Sequence, residues 1–449
     1  MLNLNSLVEK IEELLDSKSY AALRNELINL NAVDVAALLE EMPKETLPRL
    51  FRLLPKELAA EAFVEMDFDS QELLIKGFSD RELKEVVDEL FVDDAVVIVE
   101  EMPANVVKRI LMQADPDTRK LINEILQYPE DSAGSIMTTE FVNLRPEMTV
   151  FDAIKHIRRT GLDKETINTC YVTRDKRLLG YVSIRSLILM DEDKILEDIM
   201  ESNIISAYTH EDKEIVAHMF KKYGLLAIPI VDNERRLVGI VTVDDAIDVM
   251  TDETTEDISK MAAVIPSDRP YLKTNVVTLW KTRVPWLLFL MFSATFTGLI
   301  IAKYEGALKA LPALMMFIPM LMDTGGNASN QACTTIIRGL SLREIHFSDM
   351  LRIIWKEARV ALLCGLTLAV FNFARIMIID RLGVLVAFVV CITLVIDVFM
   401  AKLIGCTLPI LADKIGLDPA VMASPIITTI VDAMALLIYF MFASTMLTL

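Results

Sequence analysis

Two aspartates stand where an acid is costly. Asp397, in CITLVIDVFMAKL, and Asp432, in LDPAVMASPIITTIVDAMALLIYF, both lie inside long apolar runs. If the second run is a helix, Asp432 is fourteen residues beyond Asp418. At ~1.5 Å per residue that is roughly 21 Å, deep in a ~30 Å hydrocarbon layer. An acid there costs about 2.5–3.5 kcal/mol and has to face protein or water. Pro425, Thr428, Asp432, Ala435 and Tyr439 fall on one helical stripe, small and polar around the acid. A structural alternative pairs Asp432 with Arg375. For Asp397, an ion pair with Lys402 is as open as a functional role.

A third run, PMLMDTGGNASNQACTTIIRGL, places Asp323, Asn327, Asn330 and Thr334 on one helical face, with Gly325 and Gly326 allowing close backbone approach. So many polar groups in one span fit a water-lined path, or interhelical hydrogen bonding, or both. Carboxylate, amide and hydroxyl oxygens suit a hard cation that keeps part of its water, such as Mg²⁺. The four histidines are scattered and no C-x-x-C pair occurs, so zinc, copper and nickel chemistry is not indicated. This donor set does not choose magnesium over calcium or manganese. Deep acids could also carry protons in a Na⁺- or H⁺-coupled carrier. An intramembrane aspartyl protease is a weaker alternative, because its G-x-G-D loop is absent.

Five apolar stretches surround these residues, at about 284–302, 310–337, 360–379, 383–411 and 420–449. Each is long enough to cross a membrane. Arg338, Arg343, Arg352, Lys356 and Arg359 follow the second stretch, which puts that loop on the cytosolic side. The N-terminus is then cytosolic too, as expected from MLNLNSLVEKIEELL, an amphipathic charged helix without the form of a signal peptide. From residue 284 onward there are ten acids against eleven bases, so the net charge of the first 283 residues is −20. Such a surface excludes nucleic acid as a partner and suits a cation.

The acidic part has its own organisation. Residues 1–128 read as short helices, and DVAALLEEMPKETLPRLF echoes DDAVVIVEEMPANVVKRI, the pattern of a stacked helical superhelix. Residues 129–250 alternate β-rich runs with helices, and they repeat: SIMTTEFVNLRPEMTVFDAIKHI parallels DIMESNIISAYTHEDKEIVAHMF. This repeat resembles a tandem pair of CBS modules. Thr242 and Asp245, in GIVTVDD, fit a T-x-x-D pattern with which some CBS modules hold an adenine nucleotide such as ATP. The first module has Ser183 and Ser186 instead, and a helix cap is the plainer reading. Residues 251–283 form an acidic connecting helix and linker, broken by Pro266 and Pro270 and anchored by Trp280, Lys281, Arg283 and Trp286.

Taken together the chain reads as a multidomain membrane protein: an α-helical superhelical N domain, tandem α/β CBS modules and a five-helix transmembrane domain at 284–449. With GGNASNQACTTIIRGL and GCTLPILADKIGLDPAVMASPIITTIVD in order after the CBS repeat, it resembles the MgtE family of magnesium channels along essentially its whole length. The resemblance implies a membrane-embedded homodimer with its pore on the two-fold axis and Asp432 as the ion-selecting carboxylate. Thr428, Asn327, Asn330 and Asp323 would line that pore. It also implies closure by cytosolic Mg²⁺ bridging carboxylates of the N domain, the CBS modules and the connecting helix. The matching positions are Asp93 or Asp94, Glu214, Asp244, Asp245, Asp248, Glu253, Glu256 and Asp257, with Asp418 at the pore mouth. Gly224 stands where relatives are expected to carry Asp, and Ser424 and Ala435 where Gly is usual.

Overall fold

The computed structural model describes residues 4–267, 271–422 and 424–447. The chain divides into two compact units, 1–250 and 251–449.

The first unit opens with short helices running from Leu4–Asp16 to Pro116–Ile125. Local chemistry sets their ends. Asp67 and Asp115 accept hydrogen bonds from the first-turn amides of the helices they precede, and Ser79 with Glu82 forms a reciprocal capping box. The sequence echo is a structural one. Helices Ala32–Glu41 and Val92–Glu101 both end in an extended methionine, Met42 or Met102, that is buried in the core just before a proline. Proline cannot continue the helix, so the methionine turns inward at the same step of both hairpins.

Two small sheets follow. Phe141–Leu144, Thr166–Arg174 and Arg177–Ser183 form one; Ala207–Tyr208, Ala227–Val231 and Leu237–Thr242 form the other. In each, the first pair of strands is parallel and the second antiparallel, which is the repeat expected of tandem CBS modules. Backbone bonds from Leu178 to Arg235 and from Leu237 to Lys176 stitch the two hairpins together. Helix Val92–Glu101 packs Val92, Ala95 and Val96 into the core of the second module. That contact brings its first-turn acids, Asp93 and Asp94, toward the start of the long helix Val243–Met261, here called the gating helix for the role proposed for it below.

The second unit is built from Val276–Lys303, Ile318–Ser341, Met350–Arg375, Val384–Lys414 and Ser424–Met446. Four segments, Val276–Lys303, Phe347–Asp380, Val384–Lys414 and Pro425–Met446, are long and apolar enough to cross a membrane. Ile318–Ser341, the polar helix, is expected as a span but is not in that set, because its acid and amides lower its hydropathy. It is nevertheless closely enclosed on one side, burying Gly325, Gly326, Ala328, Ser329, Ala332 and Cys333. Glycine makes this possible at two crossings. A Cβ on Gly405 would strike the Ser329 carbonyl, and one on Gly325 would lie 2.7 Å from an Asp397 oxygen. The first membrane helix starts at Val276, so Trp280, Lys281, Arg283 and Trp286 lie within it rather than in a linker before it.

Candidate functional site

The polar helix has two faces of opposite character. Toward its neighbours it presents glycine and alanine. On the other side Asp323, Asn327, Gln331, Thr334 and Arg338 recur at three- and four-residue spacing and are all exposed. Asp323, Asn327 and Gln331 border a cleft of about 510 Å³ whose far wall is Leu363, Cys364, Thr367, Leu368, Val398 and Lys402. Gln331 completes the stripe and was not singled out in the sequence, where it is one amide among several. An open polar stripe on a helix bundled with apolar spans requires water or a second polar surface against it.

On the last helix, Thr428 packs its methyl group against Gly326, and Val431 packs against Gly325. Asp432 follows at once, half-buried, with Oδ1 buried and without a hydrogen-bond partner among the described residues. Asn330 Oδ1 is in the same condition. Asp323 and Asp397 both lie within electrostatic reach of Asp432.

The two structural alternatives for the deep acids do not form. Lys402 lies 3.9 Å from Glu357, not on Asp397, which is fully buried with neither oxygen hydrogen-bonded among the described residues. Five residues along a helix turn a side chain by roughly 140°, so Asp397 and Lys402 face apart. Arg375 pairs with Asp380 at 3.5 Å and covers the Phe317 ring, leaving Asp432 without it. Of the small replacements, Ala435 is fully buried and the Ser424 side chain lies outside the described residues.

The first unit carries a concentration of carboxylates. Burial pushes the Asp93 carboxyl well above its ordinary range, and Asp94, Asp245 and Glu165 push it further. Asp94 is raised to about 6 by burial and then by Asp245, Glu65, Asp244 and Glu140. Glu165 is raised to about 7 by burial and then by Asp245, Asp94, Asp244 and Glu140. Burial likewise raises Asp245, and also Asp248, with Asp244 adding to both. Acids from the N-terminal helices, the first CBS module and the gating helix therefore repel one another in one place. Among the described residues no three of them are close enough to make a finished metal site. Glu65, Glu140 and Glu165 were missed in the sequence because each is an isolated acid; only the fold gathers them.

Thr242 and Asp245 bond to each other through hydroxyl and carboxylate, and Asp245 also accepts from the Thr242 amide at 3.4 Å, as a helix cap does. In the first module the Ser183 and Ser186 hydroxyls are 2.8 Å apart, and Ser183 accepts from the Ser186 amide at 3.0 Å. Glu214 sits in the first turn of Lys213–Tyr223, 3.6 Å from His218. Gly224 ends that helix at φ 65°, a left-handed position with open space around it, so glycine there has a local backbone reason.

In the second unit the lower gating helix lies on the membrane helices. Asp257 accepts from the Ser341 hydroxyl at 2.8 Å, and Lys260 lies 2.6 Å from both Glu256 and Asp418. Glu253, Glu256, Asp257 and Lys260 share one face of that helix.

Comparison with known proteins fits this arrangement. Residues 318–442 match the MgtE divalent cation transporter family, 30–131 the MgtE intracellular N domain, and 133–192 and 196–252 the CBS domain. The magnesium transporter MgtE of Thermus thermophilus is 37% identical, over 98% of both chains. That of Bacillus subtilis is 32% identical, over 97% of this chain and 96% of its own. A solved cytosolic domain of the Mg²⁺ channel MgtE in complex with ATP is 35% identical at a TM-score of 0.51, covering 54% of this chain and 99% of that one. The soluble part of a magnesium transporter aligns at a TM-score of 0.52 with 27% identity, over 56% of this chain and 99% of that one. With two relatives above 30% identity along nearly their whole length, this chain belongs to the MgtE family.

Proposed function

We propose that the chain is a multi-pass cell-membrane channel that admits Mg²⁺ and is closed by Mg²⁺ on the cytosolic side. The observation that carries the reading is the exposed stripe Asp323, Asn327, Gln331 and Thr334 beside Asp432, whose Oδ1 has no partner among the described residues. Two copies placed with these stripes face to face would enclose a polar path, which one copy leaves open. Asp432 from each would then hold the ion with its inner water in place, since Mg²⁺ dehydrates reluctantly. Relatives named as magnesium transporters support the choice of ion.

Closure follows from the acid cluster. Without a divalent cation, Asp93, Asp94, Glu165, Asp244, Asp245 and Asp248 repel and loosen the hairpin from the gating helix. Mg²⁺ removes that repulsion and favours one of two arrangements. A swing from 1:99 to 99:1 takes about 5.5 kcal/mol of differential binding, within reach of several weak sites acting together. ATP at the CBS modules is supported by the relative's complex, and here it would use Thr242 and Asp245, whose mutual bond it would have to replace.

The test is flux into liposomes for Mg²⁺, Mn²⁺ and Co²⁺, with and without Na⁺ and pH gradients, on wild type and Asp432→Asn. Mg²⁺ flux that needs no gradient and is lost in the variant is the expected result. Flux that requires a Na⁺ or H⁺ gradient would replace the channel with a coupled carrier. A conducting monomer by mass in detergent would remove the two-copy pore.

A further inference from the structure

We propose that the cavity between the helix Pro116–Ile125 and the hairpin tips of the two CBS modules binds a small phosphorylated molecule. Lys120, Lys176 and Arg236 would hold its phosphate, and Tyr128 and Phe141 would flank any ring it carries. The cavity has a volume of about 650 Å³. Among the described residues its lining includes none of the clustered acids and neither Thr242 nor Asp245. Leu237 is on its wall, and Thr242 ends the same strand, about 16 Å further on at ~3.3 Å per residue.

Charge is the first argument. The first 283 residues carry a net charge of −20, yet cations gather here. One hairpin tip carries Lys176 and Arg177, the other Arg235 and Arg236, and backbone bonds hold the tips together. Lys120 borders the cavity from the helix side. Among the described residues the ammonium groups of Lys120 and Lys176 make no ion pair or hydrogen bond. Two acids also border the cavity. Asp232 is occupied by its own tip: one oxygen accepts the Glu234 and Arg236 amides, and the other the Arg236 guanidinium at 2.7 Å. Glu124 lies within electrostatic reach of the Tyr128 phenol and suits a ligand hydroxyl rather than its phosphate. A long polyanion is repelled by the acidic surface around the cavity, so the ligand is small.

The backbone is the second argument. Asp175 and Lys176 make a two-residue turn at φ 51° and 66°, the left-handed pair that asparagine and glycine fit best. A residue with a Cβ is disfavoured there, and no bond of the Lys176 ammonium among the described residues offsets that cost. The other walls are preformed. A Cβ on Gly134 would lie 2.6 Å from the Tyr128 ring, so the ring packs on bare backbone, and it meets His210 edge-on at 5.9 Å. Phe141 is fixed edge-on against Tyr171 at 6.2 Å. Asn143 Oδ1 takes the Thr173 hydroxyl at 2.8 Å, which leaves Nδ2 free to donate. A ligand held by these groups ties the last N-terminal helix to both CBS modules.

Calorimetric titration of the full-length protein in detergent, in Mg²⁺-free buffer, tests this with inorganic pyrophosphate, AMP and ATP as separate probes. At least one should bind with a Kd at or below about 1 mM. Lys176→Gly removes the cation and relieves the turn, so it should weaken binding about 10-fold while keeping or raising Tm. Lys120→Ala should weaken it similarly, and Lys176→Arg should bind as wild type. Hydrogen exchange with the probe bound should slow in residues 119–128 and 173–178. Nucleotides that bind more tightly than pyrophosphate, with the margin lost in Phe141→Leu, uphold the site and make the ligand a nucleotide. Equal binding upholds it with an inorganic phosphate as ligand. Three results overturn the proposal: no binding of any probe, binding that both lysine variants leave unchanged (an adventitious ion only), or protection confined to residues 242–248.

Discussion

Asp94→Asn tests the acid cluster most directly, since it removes a charge at nearly constant shape. The Asp94 carboxyl is raised from 3.8 to about 6, first by burial and then by Asp245, Glu65, Asp244 and Glu140. A group whose folded value lies above its unfolded one binds protons in the folded state between the two. Stability is therefore present below about pH 4 and is lost as pH rises toward and through about 6. The gap is roughly two pH units, or about 3 kcal/mol at neutral pH as an upper bound. Two effects reduce what asparagine recovers. The amide is still desolvated, and Asp94 lies in the first turn of its helix, where a negative charge gains about 0.3–1 kcal/mol from the backbone. A net gain of about 1.5–2.5 kcal/mol remains. For a unit of residues 1–250 that is a rise in Tm of about 3–10 °C in Mg²⁺-free buffer. The corresponding soluble part of a relative has been solved alone, so this fragment is a reasonable object for thermal unfolding. Excess Mg²⁺ should stabilise wild type strongly and the variant less, as one of the carboxylates proposed to hold the ion is gone. At about pH 4–5 the advantage of the variant should fade, because wild-type Asp94 is then protonated. If Asp94→Asn lowers Tm in Mg²⁺-free buffer at neutral pH, the carboxylate makes a favourable contact and the repulsion argument fails.

Glu165, raised to about 7, should release protons when Mg²⁺ binds near neutral pH, and Glu165→Gln should cut that release measurably in a weakly buffered titration. Gly405→Ala should destabilise the membrane unit by about 1–3 kcal/mol, seen as a lower Tm in detergent, because its Cβ meets the Ser329 carbonyl. Gly224→Asp should cost the soluble unit up to ~1 kcal/mol through its left-handed backbone, even where it tightens Mg²⁺-driven closure; unchanged stability would show that the backbone is indifferent there.

Much of this protein is written in local patterns. The period of apolar residues, the Glu-Met-Pro echo and the paired βα runs specify helices, hairpins and modules, because each is decided by neighbours within a few residues. Asp432 was legible for a similar reason: an acid deep in an apolar run is costly wherever the helix points, so its position alone demands an explanation. Partners are a different matter. Whether Asp397 meets Lys402 depends on a rotation of the helix face and on Glu357 from another helix, and the sequence left both pairings open. Glu65, Glu140 and Glu165 carry no motif, and they join Asp94 and Asp245 only after a hairpin has packed on the second CBS module. Lys260 looks like an ordinary helix partner of Glu256 four residues before it. Its bond to Asp418, more than 150 residues away, exists because the gating helix lies across the turn that starts the last span, a placement set by long-range packing and not by any residue near Lys260.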